Sequence, residues 1–345
     1  MGGNGKGKAA VLGGGSFGTA IANILADNGN DVSLWMRSNE RVKEINDDHE
    51  NTRYLPGHKL NEAIAATTDL TGAVADAEVI FVAVPSKSVV SVLEQCSSYL
   101  DDSRIIVSTT KGIQKDGFRF MSQVLKDMTQ CSNIGVLSGP NLAKEVAARM
   151  ITGSVIASES EHVRHRVQEM LSCRYFRVYG NSDMFGVELA GALKNIYAIA
   201  AGMATEMGMG ENTKSMLITR SLAEMSRFAS KLGANPYTFL GLAGVGDLFV
   251  TCTSPLSRNF QVGLGLAKGH SLEDVLTNLG GTAEGVNTVK LVKQKSDEIG
   301  VYMPLVQGLN EILFEGGELV DVVKNLMLGE HNSDVEFVLP GPHSN

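Results

Sequence analysis

No apolar run of eighteen or more residues occurs in the 345-residue chain, so no membrane-spanning helix is expected. Positive charge is in deficit: 30 Lys and Arg face 38 Asp and Glu, a net charge of -8. A general nucleic-acid binder needs a basic face, so that class is set aside, while a local basic pocket for a small phosphate is still allowed. Cysteine is scarce. Cys96, Cys131, Cys173 and Cys252 lie far apart, with no C-x-x-C pair and no histidine at ligand spacing. They read as free thiols of a reducing compartment. The histidines are scattered too. His162 and His165 fall three apart on an expected helix, but two ligands close no zinc site. They read as a solvated helix face, and no metal is expected. The first eight residues are rich in glycine and lack the apolar stretch of a secretory signal. Met1-Gly2 opens like a myristoylation signal, but Lys6 stands where Ser or Thr is needed. Residues 1–7 read as a leader, and a soluble, cytoplasmic protein is expected.

What is present is ordinary globular composition, 43% apolar and 20% charged, in a chain too long for one core to serve, so two domains are expected. The apolar run Ala10-Val11-Leu12 leads into Gly13-Gly14-Gly15. A helical stretch follows, with Phe17, Ile21, Ile24 and Leu25 on one side, and Asn28-Gly29-Asn30 stops it. A strand at 31–36 completes a βαβ unit. Further buried strands are read at 79–84, 105–108 and 134–137, with helices at 88–99 and 117–129 between them. Alternation of this kind predicts a mostly parallel, doubly wound sheet, extended by β-like runs at 153–157 and 176–179. From Asp183 the apolar spacing becomes helical: Leu189, Leu193, Ile196 and Ala200 share one face. Helices are expected over 213–232, 258–268, 271–279, 285–299, 304–315 and 318–327. The fold class is thus α/β: a Rossmann-like domain at 8–184, an all-α domain at 185–330, and a tail at 331–345. No internal repeat or low-complexity block is found.

The glycines Gly13-x-Gly15-x-x-Gly18 follow a strand, open a helix and lead to a second strand, the context a dinucleotide site requires. They let the backbone approach a pyrophosphate at a helix N-terminus, with Ser16 and Phe17 lining the turn. A purely structural glycine turn is the alternative. The second strand ends in Trp35-Met36-Arg37-Ser38, without the acid that usually holds the ribose hydroxyls of NAD. Arg37 could pair with a 2′-phosphate, so NADP(H) is expected to be accepted alongside NAD(H), unless Arg37 only lies in a solvated loop.

Several segments carry chemistry, each with a plainer reading beside it. Lys111, after Ser108-Thr109-Thr110, ends a strand, where a cation could polarise a carbonyl or attract a phosphate; it could also be a surface lysine in a turn. Ser138-Gly139-Pro140-Asn141 opens a helix through Ala143. Its N–H groups suit an anion or a nicotinamide amide, or mark only a helix start. Lys194 lies in a helix apolar nearly all round, with Ala190 and Gly191 one turn upstream. Partial burial would lower its pKa towards neutrality and fit it to exchange a proton with an alkoxide. Snorkelling to solvent is the alternative. Asn195 beside it suits a substrate hydroxyl. Asp247, after a glycine-rich stretch, could hold Lys194 or a substrate hydroxyl, or cap a turn; Thr251 follows one helical turn later. Ser257-Arg258-Asn259 offers a hydroxyl, a guanidinium and an amide to a phosphate dianion, or begins with a simple N-cap. Gly281-Thr282-Ala283-Glu284-Gly285 could meet cofactor hydroxyls or merely start the next helix.

The glycine turn, Thr-Thr-Lys111-Gly, Ser-Gly139-Pro-Asn141-Leu-Ala143-Lys-Glu-Val, Leu-Ala-Gly-Ala-Leu-Lys194-Asn195, Gly-Leu-Ala-Gly-Val-Gly-Asp247-Leu, Ser257-Arg258-Asn259 and Ala-Glu284-Gly occur in one order. Over residues 8–330 the chain resembles the bacterial NAD(P)-dependent sn-glycerol-3-phosphate dehydrogenases. The resemblance implies a Rossmann domain followed by a helical domain like the C-terminal domain of 6-phosphogluconate dehydrogenase. It implies Lys194 as proton donor and acceptor, with Lys111, Asn195 and Asp247 in the catalytic set. Substrate contacts are implied for Lys111, Gly139, Asn141, Lys194, Asp247, Ser257, Arg258 and Asn259. Cofactor contacts are implied for Gly13, Gly15, Ser16, Phe17, Gly18, Arg37, Lys111, Ala143, Arg258, Thr282 and Glu284. Asn141 stands where bacterial members often have Ser or Thr, and Thr282 where an aliphatic residue is common. The implied reaction is metal-free, reversible reduction of dihydroxyacetone phosphate to sn-glycerol 3-phosphate for glycerophospholipid synthesis, by a homodimer without nucleic-acid or membrane partners. The rival readings are a ketopantoate-reductase-like or 6-phosphogluconate-dehydrogenase-like enzyme, and a non-catalytic NAD(P) sensor.

Overall fold

The computed structural model describes residues 7–114, 118–279 and 283–328. The chain divides into two compact units, which part between Gly191 and Ala192. The leader before Gly7 and the expected tail from 331 lie outside the described residues.

The first unit is built on an eight-stranded sheet. In chain order its strands and helices are β1 (Lys8–Leu12), α1 (Ser16–Asp27), β2 (Asp31–Trp35), α2 (Asn39–Asp48), β3 (Ile64–Thr67), α3 (Leu70–Ala75), β4 (Val79–Val82), α4 (Ser86–Cys96) and β5 (Ile105–Ser108). A two-stranded hairpin, β6 (Ile113–Gln114) and β7 (Arg119–Phe120), precedes α5 (Met121–Met128). Then come β8 (Ile134–Ser138), α6 (Ala143–Ala147), β9 (Thr152–Ala157), α7 (Glu161–Leu171) and β10 (Phe176–Asn181). Spatial order is β10-β9-β8-β5-β4-β1-β2-β3, parallel except where β9 runs against β8. This is the expected doubly wound sheet, with the order reversing between β1 and β4. There, at the carboxyl ends of the strands, such sheets bind ligands.

Register places the candidate loops on one edge. Leu12 pairs with Trp35 and with Val82, Val82 with Ser108, and Ser108 with Val136. The segments that follow β1, β2, β4, β5 and β8 therefore leave the sheet side by side. Val11, Leu34, Phe81 and Val107 in the strands pack with Ile21, Ile24 and Leu25 of α1 in one buried cluster. Burying each such side chain contributes roughly 1.5–3 kcal/mol.

The second unit begins inside α8 (Met184–Glu206) and is helical: α9 (Glu211–Lys231), α10 (Asp247–Thr253), α11 (Arg258–Ala267), α12 (Leu272–Asn278), α13 (Glu284–Ile299), α14 (Pro304–Asn310) and α15 (Leu319–Leu328). Two expectations need correction. The helix read at 117–129 starts at Met121, because the hairpin occupies the residues just before it. The helix read at 304–315 ends as an α-helix at Asn310 and widens into one π turn over Glu311–Glu315. Strand β3 and helices α2 and α3 are additions that the sequence pattern did not show. Among the described residues no helix is long and apolar enough to cross a membrane, and no group of His, Cys, Asp and Glu could hold a metal.

Each unit buries a glutamate against the start of another helix. In the first, Glu188 accepts from the Ser122 N–H at 3.0 Å and from its hydroxyl, at the beginning of α5. In the second, Glu224 accepts from the Leu305 N–H at 2.6 Å and the Tyr197 hydroxyl at 3.2 Å, at the beginning of α14. Burial pushes both carboxyls up to about 7. An acid whose pKa rises on folding holds its proton better in the native state. Its contribution is fullest below the ordinary value of 4.5 and is lost as pH climbs through about 7. We expect Glu188→Gln and Glu224→Gln each to reduce the fall in melting temperature between about pH 5 and about pH 8. An unaltered fall in both would show that neither group takes up a proton on folding.

Candidate active site

The glycine turn is held by its backbone. Gly13 donates to Trp35 O at 2.9 Å and has φ +125°, and a Cβ there would lie 2.6 Å from Ala83 O. At Gly18 a Cβ would lie 2.0 Å from Gly13 O, so α1 packs on the turn only because both positions lack side chains. Gly15 caps α1 without a side-chain bond, which leaves the first-turn N–H groups at Ser16 and Phe17 without intrahelical partners. Ser16 Oγ donates to Tyr54 O at 2.9 Å, and Phe17 packs on the core. A bare helix N-terminus over a closely approachable backbone fits the pyrophosphate of a dinucleotide.

The sequence reading missed the loop that braces this turn. Buried Asn51 donates to Gly14 O at 3.0 Å and Thr19 Oγ1 at 2.9 Å. The Tyr54 ring carries two guanidiniums, Arg41 at 5.7 Å and Arg53 at 5.5 Å from its centroid. After β2, Met36 is buried and Arg37 exposed, while Ser38 caps α2 through the Arg41 N–H at 3.4 Å. Arg37 thus projects from the same sheet edge as Gly13.

A second cluster follows β5 and β8. Lys111 Nζ donates to Gly139 O and Asn141 Oδ1, both at 2.9 Å. The threonines before it anchor the strand end: Thr109 donates to Val82 O at 3.0 Å and Thr110 to Val84 O at 2.7 Å. Behind Asn141 stands Ser154 of β9, which accepts from Asn141 Nδ2 at 3.4 Å and donates to Ser138 O at 2.8 Å. Ala143 opens α6 and packs against the core. Lys111, Gly139 and Asn141 are brought together as the sequence suggested.

In the second unit Lys194 is 6% exposed. Its Nζ donates to Asp247 Oδ1 and, at 2.8 Å, to Thr251 Oγ1. Asp247 is 1% exposed, and the Thr251 hydroxyl donates onward to Asp247 O at 2.6 Å. The lysine does not snorkel. Its ammonium is buried and is held by a carboxylate and a hydroxyl. Burial pushes the Cys252 thiol beside this pair up to about 12, so it stays neutral and inert.

Asn195 lies next along α8. Asn259 Nδ2 donates to Asn195 Oδ1 at 2.9 Å, and the Gly285 N–H donates to Asn259 Oδ1 at 3.0 Å. Ser257 caps α11 by accepting from the Phe260 N–H at 3.3 Å, and exposed Arg258 is the first residue of that helix. Glu284 opens α13. Thr282 and Gly281 lie outside the described residues.

The family described as NAD-dependent glycerol-3-phosphate dehydrogenase N-terminus matches residues 8–164, and its C-terminus counterpart matches residues 183–324. The chain belongs to the NAD-dependent glycerol-3-phosphate dehydrogenases. A glycerol-3-phosphate dehydrogenase [NAD(P)+] of Alcanivorax borkumensis is 57% identical over 334 residues, 97% of each chain. That of Azotobacter vinelandii is 57% identical over 95% of this chain and 96% of its own. Among solved structures, the glycerol-3-phosphate dehydrogenase of Coxiella burnetii is 36% identical, with a TM-score of 0.88 over 93% of this chain and 99% of the other. A ketopantoate reductase from Ralstonia eutropha, with a TM-score of 0.57 at 16% identity, shares the fold alone. Family membership and fold class are as the sequence indicated, and the ketopantoate-reductase reading is not favoured.

Of the site residues, Thr251 carries no role that the sequence pattern alone assigns. It lies four residues after Asp247, on the same face of α10, so the helical period already placed hydroxyl and carboxylate together. Thr251→Val removes a hydrogen-bond partner of a buried ammonium, a loss on the order of 1.5–3 kcal/mol. We expect dehydrogenase turnover to fall about 10–100-fold with NADPH affinity unchanged in a fluorescence titration. Turnover within about twofold of wild type would show that the hydroxyl does not hold the amine.

Proposed function

We propose that the chain interconverts dihydroxyacetone phosphate and sn-glycerol 3-phosphate with NADPH or NADH. The observation that carries this reading is the buried Lys194, gripped by Asp247 and Thr251 and followed directly by Asn195. Support comes from relatives 55–57% identical that are named glycerol-3-phosphate dehydrogenase [NAD(P)+].

The nicotinamide, when bound, supplies or accepts a hydride. The glycine turn at Gly13, Gly15 and Gly18, with the N–H groups of Ser16 and Phe17, holds the pyrophosphate, and Ala143, Arg258 and Glu284 make further cofactor contacts. Arg37 takes a 2′-phosphate. Lys194 gives its proton to the C2 oxygen as that oxygen becomes an alkoxide, and takes it back in the reverse direction. Asp247 and Thr251 keep the amine on one line of approach. Asn195 donates to developing negative charge and Lys111 is a further cation of the catalytic set; a dry environment makes such donors count for more. Ser257, Arg258 and the backbone N–H groups that open α11 receive the phosphate, and Gly139 and Asn141 are further substrate contacts. Phosphate binding remote from C2 positions the carbonyl and lowers the barrier. In the cell the enzyme acts in the cytoplasm as a homodimer, and its product feeds glycerophospholipid synthesis.

The direct test follows nicotinamide absorbance with purified protein, NADPH or NADH, and either dihydroxyacetone phosphate, ketopantoate or no substrate. Oxidation only with dihydroxyacetone phosphate is the expected result; none with any substrate would leave the non-catalytic sensor. Lys194→Ala should lower kcat about 100–10,000-fold with cofactor affinity nearly intact. Near-normal turnover would remove its proton role. Arg37→Ala should raise the KM for NADPH about 10–100-fold while leaving that for NADH within about threefold. Equal effects on the two cofactors would rule out a 2′-phosphate contact.

A further inference from the structure

The exit of β4 is pinned by side chains of the neighbouring strand. The ladder between β4 and β5 ends at the pair Val82 and Ser108. Beyond it the chain of β4 passes through Ala83, Val84 and Pro85 into α4, while the chain of β5 goes on through Thr109 and Thr110 to Lys111. Both threonines are buried. Val82 O accepts from the Thr109 N–H at 2.9 Å and from its hydroxyl at 3.0 Å. The Thr110 hydroxyl stands 2.7 Å from Val84 O and 3.3 Å from Val82 O. A hydroxyl carries one proton, and the shorter contact takes it. Val84 O is thus held by a side chain, past the last rung of the ladder.

Ala83 and Val84 are the wall on which the glycine turn rests. A Cβ on Gly13 would lie 2.6 Å from Ala83 O and 3.1 Å from Val84 Cγ1, and one on Gly18 would lie 3.0 Å from Ala83 Cβ. Turn and wall are in contact with no side chain between them, so a shift of the wall changes the shape of the turn. The hydroxyl that fixes Val84 O therefore also bears on the turn, although Thr110 belongs to the strand end that carries Lys111.

We propose that Thr110 is a positioning residue for the cofactor: its hydroxyl, bonded to Val84 O, keeps the Ala83–Val84 wall against Gly13 and Gly18 and so preforms the turn that receives the pyrophosphate. This rests on the reading of the glycine turn as the dinucleotide seat. Without the bond the wall is in place in only a fraction of the molecules, and the apparent affinity for the cofactor falls by that fraction. A bound cofactor selects the molecules with the wall in place, so turnover at saturation is preserved. NADPH and NADH share the pyrophosphate and lose affinity together, in contrast to the discrimination expected of Arg37.

Thr110→Val removes the hydroxyl at nearly constant shape. We expect fluorescence titration to give Kd values for NADPH and NADH each raised about tenfold, their ratio unchanged within about twofold, and kcat at saturating cofactor within about threefold of wild type. Thr110→Ser keeps the hydroxyl and should bind both cofactors within about twofold of wild type. Thr109→Val should do the same, because Val82 O keeps its main-chain donor. If thermal melting shows that Thr110→Val is unfolded at the assay temperature, Thr110→Ala leaves room for water at Val84 O and should still weaken both cofactors about threefold or more. Unchanged Kd values in the variant that folds would overturn the positioning role alone. So would a loss in Thr110→Ser as large as in Thr110→Val, which would make packing the cause, and so would an equal loss in Thr109→Val, which would make it a general loosening of strand ends. Wild-type protein that binds neither cofactor would overturn this role together with the reading of the glycine turn.

Discussion

A cation buried among aliphatic side chains is the constraint on which the second unit turns. Lys194 has lost nearly all its hydration, and an unpaired ammonium in such surroundings costs several kcal/mol or sheds its proton. Asp247 meets the charge and Thr251 accepts a second hydrogen bond from it. Neither partner is itself solvated enough to be mobile, so the amine has one address. The glycine-rich segment before α10 is what lets Asp247 come so close: a Cβ at Gly244 would lie 2.2 Å from Phe239 O. The interaction is weak evidence for stability, because a buried ion pair recovers little beyond its desolvation. Its use is positional, fixing one amine in a helix that is apolar on either side of it in sequence, at Leu193 and Ile196.

The first unit solves a different problem by a different route. An anion must lie against the backbone itself, so space rather than charge is arranged, with glycines at Gly13 and Gly18 and the ladder of β1, β2 and β4 behind them. Lys111 then adds charge at a further loop, tethered to a carbonyl and an amide oxygen. These two partners orient its positive charge.

Much of this was legible in the sequence where the physics is local. Strands such as Val-Ile-Phe-Val and Ile-Ile-Val-Ser announce themselves by branched apolar runs, and the glycine spacing declared the turn. Strand β3, Ile-Ala-Ala-Thr, is four residues long and half alanine, so no β preference shows. Helix α2 buries only Ile45 and has no apolar stripe to read. Among site residues, Lys194 stood out because its surroundings in the chain are apolar. Its bond to Asp247 spans 53 positions, and nothing in the spacing chose between that role and a turn cap. Asn51 and Tyr54 left no signal, because a loop that braces another loop has neither period nor motif.

The reversal of β9 against β8 has an outcome of its own. Because that strand runs backwards, its Ser154 stands directly behind Asn141 and Ser138 and acts as a buttress for a loop it does not belong to. The shape of that loop is therefore set from the rear. Divergent members of such a lineage could adjust which small sugar derivative fits there by changing a side chain on the far strand, while every group that meets the ligand stays the same.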